Sequence, residues 1–449
     1  MRADEQLAVQ RSTLRKIRNR CVIPLLIGFV ISYLDRVNVG FAALTANEDL
    51  GLTATQYGWG AGLLFLAYSF FELPSNLALE RFGARRWMAR IMISWGLIGC
   101  CMALVQGPVS FYVLRFLLGA AEAGLFPGVI LYLTYWLPRQ YRARYLSLFA
   151  LGIPLSSVVG APISGAIMQW MDGVLGVKGW QWLYVLESLP AVLLGIAVLV
   201  LLADRPSSAR WLTDAERAWL TAERAKDASA PAESRHGFSL SMLRDRRVLV
   251  LAAVFFLTGV PSYGLSLWLP QIVKSFGVSH IVTGFLTAAP FVFGCVAMLY
   301  WGRRSDARQE RLWHAVVPAM LAGICLVGGA MLTSAPLQLL AICLAGAGIY
   351  ALKGPFLTLV SEAFADTRAA VGIALVTTLG NLSGFAAPYM VGLVIDATDS
   401  HRLALAALGV QSAIGAVVLF VWQGGRRTQR VHADGIKAET FRFRHERTQ

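Results

Sequence analysis

Ser32-Tyr33-Leu34-Asp35-Arg36-Val37-Asn38 lies inside the first long apolar run of the chain, residues 21–43, and sets an acid beside a base where lipid is the expected solvent. A single charge at the centre of a membrane helix costs at least about 2.5–3.5 kcal/mol. A segment carrying two must neutralise them or face a wet cavity. Adjacent helical residues point about 100° apart, so Asp35 and Arg36 cannot simply serve each other. Each requires a partner from elsewhere in the chain or from a ligand, and finding those partners decides both the fold and its use.

The surrounding chain has the composition of a membrane protein. Of its 449 residues 56% are hydrophobic and 15% charged, with a mean hydropathy of +0.58, whereas soluble domains carry about 25% charged residues. Runs long enough for the roughly 30 Å hydrocarbon core are expected at 21–43, 55–78, 88–106, 109–137, 145–170 and 179–203, then at 248–270, 281–301, 312–332, 337–363, 369–395 and 402–423. The pattern predicts an all-α integral membrane protein with twelve transmembrane helices in two six-helix bundles. An N-terminal bundle covers 21–203 and a C-terminal bundle 248–424, with tails at 1–20 and 425–449 and a central loop at 204–247.

The net charge of +14 does not call for nucleic acid. With these spans, 34 of the 40 Lys+Arg fall in the termini and in alternate loops on one side. That is the positive-inside asymmetry, and it places both termini in the cytoplasm. The basic N-terminus and the apolar run after it lack a cleavage site, so they read as a first span and not as a removable signal. The six cysteines all lie in or at the edge of spans and read as packing residues without metal-ligand spacing. In the central loop, Thr213-Asp214-Ala215-Glu216 fits a capping box that opens a short surface helix, and Asp227 to Gly237 reads as a linker.

The intramembrane charges then sort themselves. On these span boundaries Arg36 and Arg115 lie at similar depth on antiparallel helices. Glu122 is two turns beyond Arg115 on the same face, about 10 Å nearer the cytoplasm. Two guanidiniums facing a cavity suit a carboxylate, which arginine binds in bidentate fashion. Asp35 and Glu122 suit proton carriage, because an anion that engages the arginines changes the proton affinity of the acids. The alternative is two fixed ion pairs, Asp35–Arg115 and Glu122–Arg36, that only join helices. Tyr33, Tyr68, Asn381 and Lys353 (the C-terminal half's only intramembrane base) are further candidates for substrate contact, each with a packing alternative. Glu72 reads as structural, and Glu187 has no evident role. Glu80, Arg81 and Arg85 in one half, and Asp306 and Arg308 in the other, repeat an acid-plus-bases pattern and are expected to latch a cytoplasmic gate. Gly119, Gly124 and Gly128 read as helix packing, since no Lys-Ser/Thr follows them as in a phosphate loop. No metal cluster or nucleophile–base arrangement is evident, so neither an enzyme nor ATP-driven transport is expected.

Several stretches carry a resemblance. The loop at Glu80–Arg86 resembles the Gly-x-x-x-Asp-Arg-x-Gly-Arg-Lys signature of the major facilitator superfamily, with Asn76 at the first Gly and Glu80 at the Asp. Tyr33-Leu-Asp35-Arg36-Val-Asn38, Arg115-x6-Glu122-Ala-Gly-x2-Pro127-Gly128, Tyr263-Gly-Leu-Ser-x-Trp268-Leu-Pro270 and Gly380-Asn381-x2-Gly384-Phe-x2-Pro388 resemble the superfamily's anion:cation symporters. The resemblance implies the major facilitator fold and a monomeric, multi-pass carrier of the bacterial inner membrane. Its expected partners are a small organic anion and the lipid bilayer, with no cofactor besides a coupling proton. It also implies that Asp35 and Glu122 couple protons while Arg36 and Arg115 bind substrate. Tartrate or a sugar acid is the first expectation, an aromatic acid such as phthalate the second, and drug or cation efflux by proton antiport the more distant alternative.

Overall fold

The computed structural model describes the backbone of residues 3–228, 242, 244–364 and 369–446, with side chains up to residue 423 except at 3, 143, 228, 369 and 370. The expected linker beyond Ala228 lies outside the described residues. Every regular element among them is helical: α1 Ala3–Ile17, α2 Ile23–Asp49, α3 Ala54–Phe82, α4 Ala84–Cys101, α5 Pro108–Glu122, α6 Leu125–Trp136, α7 Arg139–Trp170, α8 Gly179–Leu201, α9 Asp214–Ala228, α10 Arg246–Lys274, α11 His280–Arg308, α12 Leu312–Met331, α13 Ala335–Ala351, α14 Lys353–Ala363, α15 Ala369–Asn381, α16 Ser383–Thr398 and α17 His401–Glu446. Among the described residues twelve helical spans are long and apolar enough to cross a membrane, as the hydropathy pattern predicts.

One span is broken in the middle and two more are briefly interrupted. The fourth is split between α5 and α6, where Ala123 is extended and Gly124 turns left-handed at φ +85°. The tenth and eleventh are interrupted for a single residue, at Leu352 and Leu382, each of which keeps right-handed helical dihedrals. Gly124 is therefore a break as well as a close contact, since a Cβ there would stand 2.4 Å from the Ser75 hydroxyl. Gly119 keeps the expected packing role, with a Cβ position 2.1 Å from the Leu64 carbonyl oxygen.

The N-terminal stretch is more than a surface tail. α1 runs into α2 through a five-residue π-helical turn at Arg18–Val22. It packs on α9, whose Glu216 closes the expected capping box by accepting from the Thr213 amide at 2.9 Å. The same carboxylate accepts from Lys16 Nζ at 2.7 Å and Ser12 Oγ at 2.7 Å. Burial pushes this carboxyl up, but Lys16, the Thr213 amide and Ser12 outweigh it and hold it below the usual range. At the far end of α9, Asp227 accepts from the Arg139 amide at 2.8 Å and Arg142 Nη2 at 3.3 Å. The first part of the central loop thus braces the N-terminal bundle.

The two bundles meet along α2 and α10, α3 and α16, and α7 and α11. At one end they are sealed backbone to backbone. A Cβ at Gly58 would lie 2.2 Å from the Pro388 carbonyl oxygen, one at Gly392 2.3 Å from that of Ala54, and one at Gly284 2.5 Å from that of Ala161. Directional bonds support this seam. Asp396 caps α3 from across it, accepting from the amides of Ala54 at 3.0 Å and Thr55 at 2.8 Å. Tyr57 donates across it to the Leu267 carbonyl at 2.9 Å, and within the C-terminal bundle Trp268 donates to that of Pro388 at 3.2 Å.

At the opposite end the described ion pairs remain within one bundle, and the expected latch is not closed. Arg85 lies 3.9 Å from Asp204, to which its backbone amide also donates at 2.9 Å. Asp306 accepts from Arg311 at 2.7 Å, and Arg311 also approaches Glu362 at 3.9 Å. Glu80, Arg81 and Arg308 are exposed, and Arg81 lies 5.6 Å from the Phe82 ring. Asp204, Arg311 and Glu362 escaped the sequence reading because partners on neighbouring helix ends leave no local motif.

Candidate functional site

The arginines part company. Counted from the sealed end, Arg36 is thirteen residues from Asp49 and Glu122 fourteen from Pro108, both roughly 20 Å deep, whereas Arg115 is seven from Pro108, roughly 10 Å deep. The expectation of one shared level fails for two reasons. α2 continues six residues past the expected boundary at Ala43, which sinks Arg36. Side chains also lean toward the N-terminus of their own helix, so on antiparallel helices these two long arms diverge.

Arg36 reaches Glu122 on the fourth span, with Nε donating to Oε1 at 2.8 Å, and Ser32 Oγ donates to the same oxygen. Ser32 and Arg36 are one turn apart on a single face of α2. The guanidinium is held between two rings, 4.9 Å from the centroid of Tyr33 and 4.6 Å from that of Tyr68. This arrangement suits arginine, which stacks on aromatic faces while its edge stays available for hydrogen bonds. The Arg36 side chain keeps 10% exposure. Among the described residues neither Nη atom has a hydrogen-bond partner, and neither is among the fully enclosed unpaired atoms. The donating edge of the fork thus reaches open space.

Arg115 is fully buried. Nη2 donates to the Ala61 carbonyl at 3.0 Å and Nε toward that of Gly60 at 3.5 Å, while Nη1 is enclosed without a partner. It fastens α5 to α3 about two turns from the Arg36 site. Asp35 makes no ion pair with it. Its Oδ2 accepts from Trp95 Nε1 at 2.6 Å, and its Oδ1 from Ser188 Oγ at 3.0 Å and Asn38 Nδ2 at 3.2 Å. Of the two fixed pairs considered from sequence, Glu122–Arg36 is present and Asp35–Arg115 is not. Asp35 and Arg36 do turn to separate partners, on different faces of α2.

Across the interface, Tyr33 faces Tyr263 and Tyr350 of the C-terminal bundle, and the Tyr263 ring packs edge-on to Phe65 at 4.8 Å. Lys353 lies 4.5 Å from the Tyr350 centroid, and its Nζ donates to Ser262 Oγ at 3.3 Å. No carboxylate pairs with Lys353 among the described residues. Asn381 is half-buried at the end of α15 and has no side-chain hydrogen bond among the described residues. Each interruption of a span adjoins a candidate: Glu122 ends α5, Lys353 begins α14 and Asn381 ends α15. Interrupted membrane helices belong where backbone lines a cavity or is buried in protein.

The structure therefore gathers Tyr33, Arg36, Tyr68 and Glu122 into one cluster with Lys353 opposite, and leaves Asp35 and Arg115 within the N-terminal bundle. Sequence reasoning missed Ser32, Trp95, Ser188, Ser262 and Tyr350. Only Ser32 had a usable signal, its i, i+4 spacing to Arg36.

A family model described as Major Facilitator Superfamily matches residues 25–388. A protein of Agrobacterium vitis, provisionally assigned as a tartrate transporter, is 46% identical over 92% of this chain and 95% of its own. A quinolone resistance transporter of Acinetobacter baumannii is 38% identical over 92% of this chain and 95% of its own. Among solved structures, a bacterial homologue of the human lysosomal transporter Spinster, inward-facing and unoccupied, superposes with a TM-score of 0.75 at 16% identity, covering 90% of this chain and 96% of that one.

Proposed function

The chain belongs to the Major Facilitator Superfamily of membrane transporters, and from that premise we propose that it takes up a small organic anion together with protons across the bacterial inner membrane. The observation that carries this reading is the Arg36 fork, stacked between Tyr33 and Tyr68 with both Nη groups free of hydrogen bonds among the described residues. A substrate carboxylate can take both Nη groups at once. Lys353 supplies a second cation from the other bundle, which suits a diacid such as tartrate or an aldarate, and the Agrobacterium relative supports that choice. Tyr33, Tyr68 and Asn381 shape the space between. Arg115 is assigned to holding α5 on α3 in this conformation and not to the anion.

Glu122 is the coupling group nearest the substrate. In this conformation its carboxyl is held by the Arg36 Nε–H and the Ser32 hydroxyl. An incoming anion adds its charge to the same guanidinium from the Nη side, and a proton taken up by Glu122 would offset it. Proton and anion then load together, which gives symport. Asp35, on the other face of α2, is assigned the second proton site. The seam marked by Asp396 is read as the periplasmic side, so this conformation opens to the cytoplasm, where the basic termini lie. Glu80, Arg81, Arg85, Asp306 and Arg308 would then exchange partners across the bundles when that side shuts.

The test is uptake of labelled tartrate into proteoliposomes, with and without an inward proton gradient. Accumulation that follows the gradient and disappears in Arg36→Ala is expected; accumulation indifferent to Arg36 would overturn the anion site. The Acinetobacter relative favours a second reading, drug export by proton antiport. Proton movement opposite to that of substrate in the same vesicles would select it.

A further inference from the structure

Glu187 on α8 is 5% exposed and has no cation partner among the described residues. Its Oε1 accepts from Ser164 Oγ at 2.6 Å, while Oε2 is fully enclosed without a hydrogen bond. The Asn38 amide neighbours this carboxyl as well as that of Asp35. Its Nδ2 donates to Asp35 at 3.2 Å, and its Oδ1 is likewise enclosed and unpaired. Two buried acceptors without a donor would each lose a hydrogen bond's worth of stability. A proton on Glu187 Oε2 turns that acceptor into a donor, and the enclosed oxygen of the neighbouring Asn38 amide is an acceptor that such a donor would satisfy. Buried charges without a partner are strongly disfavoured, and the buried charges of the bundle's spans balance when Glu187 is neutral. Arg36 and Arg115 then oppose Asp35 and Glu122, and Asp35 with its three donors is well supplied as a carboxylate.

We propose that Glu187 is a further proton-binding site, and that it shares one proton with Asp35 through the Asn38 amide. In the arrangement seen, Asn38 Nδ2 faces Asp35, and we assign the proton to Glu187 Oε2. In the other, the proton is on Asp35 Oδ1, and the turned amide donates to the Glu187 carboxylate while its oxygen accepts from Asp35. The two states differ only in which O–H bond exists and in the orientation of one amide. The other titratable or charged groups around the pair are few. α4 contributes Cys100, α5 contributes Glu122 and Arg115, α3 contributes Tyr57 near Tyr184, and α8 itself contributes Tyr184. From α7 the described contact is the Ser164 hydroxyl. The proposal deepens the reading of Asp35 as a proton site and rests on it for its meaning in transport.

Infrared spectroscopy of the full chain in lipid nanodiscs, without substrate, tests it. A carbonyl stretch of a protonated, water-shielded carboxyl is expected at neutral pH, shifting on deuterium exchange and absent from Glu187→Gln. Asp35→Asn removes a neighbouring negative charge, so the pH at which this band titrates should fall by about one unit, a tenfold loss of proton affinity. With Asn38→Leu in place, adding Asp35→Asn should move it less than half as far. Superimposable carboxyl regions in wild type and Glu187→Gln across the pH range would overturn the proposal, as would a midpoint indifferent to Asp35→Asn. The deuterium shift in the wild type needs no variant to fold. Because no substrate is present, lost uptake with the band intact would count against the transport reading alone.

Discussion

Arg36 and Arg115 carry the same charge in the same bundle, yet their surroundings assign them opposite tasks. Arg36 has one carboxylate, two aromatic faces and a fork that is unbonded among the described residues and not fully enclosed. Arg115 has backbone carbonyls, no ion pair within the described bundle and a spare donor that is sealed in. A buried cation held by carbonyls serves the fold, because nothing can reach it without parting helices. A cation whose edge stays open can change partners, and a transporter needs one that does.

Removing each arginine should break the symmetry between them most visibly. Arg36→Ala should lower anion affinity by about a hundredfold or more, from the lost bidentate pair and a stranded Glu122, as read by isothermal titration. Arg115→Ala should instead lower the melting temperature, with about 3 kcal/mol lost from a buried, hydrogen-bonded charge site, while the protein that stays folded binds substrate with near-normal affinity. If Arg115→Ala folded normally and failed to bind, the contrast would collapse. Next in size is Glu122→Gln, which should retain binding and substrate exchange but lose accumulation driven by a pH gradient, measured in proteoliposomes. Tyr68→Phe keeps the ring over Arg36 and should change affinity less than threefold, whereas Tyr68→Ala should cost about 1 kcal/mol, roughly fivefold.

The smallest effect belongs to the brace. Lys16→Ala removes a partly exposed partner of Glu216 and should cost at most about 1 kcal/mol. The Glu216 carboxyl is held below its ordinary range, so its contribution is complete above the unfolded value near pH 4.3 and is lost only as pH falls through the lower folded value. Proteolysis of the central segment should therefore stay slow down to mildly acidic pH and accelerate below it. Acceleration already at pH 6 would refute this.

The twelve spans were legible because a lipid-crossing helix needs an unbroken apolar run of fixed length, and the charged candidates because charge inside such a run is costly. What hydropathy could not convey was where helices end in space and which way long side chains lean. α2 outruns its apolar stretch through Leu44-Thr45-Ala46-Asn47-Glu48-Asp49, residues that prolong a helix without signalling lipid. That extension moved Arg36 from the level of Arg115 to that of Glu122. The interruptions beside Glu122, Lys353 and Asn381 were marked by Gly124, Gly354-Pro355 and Gly380, but close packing and interruption leave the same glycine signature. Glu187 stood without a role because its partners Ser164 and Asn38 come from two other helices.

The sealed end also bears on how the carrier moves. Much of that seam is bare main chain against main chain, at Gly58 with Pro388, Gly392 with Ala54 and Gly284 with Ala161. Dispersion contacts of this kind weaken within the first ångström of parting. Resistance from this main-chain contact is thus concentrated at the start of the stroke, with the aromatic contacts of Trp59 against Phe385 and Tyr389 left to part afterwards. Such a joint is expected to behave like a magnetic clasp, which holds or lets go and gives little support to half-parted shapes that would let ions leak through both sides at once.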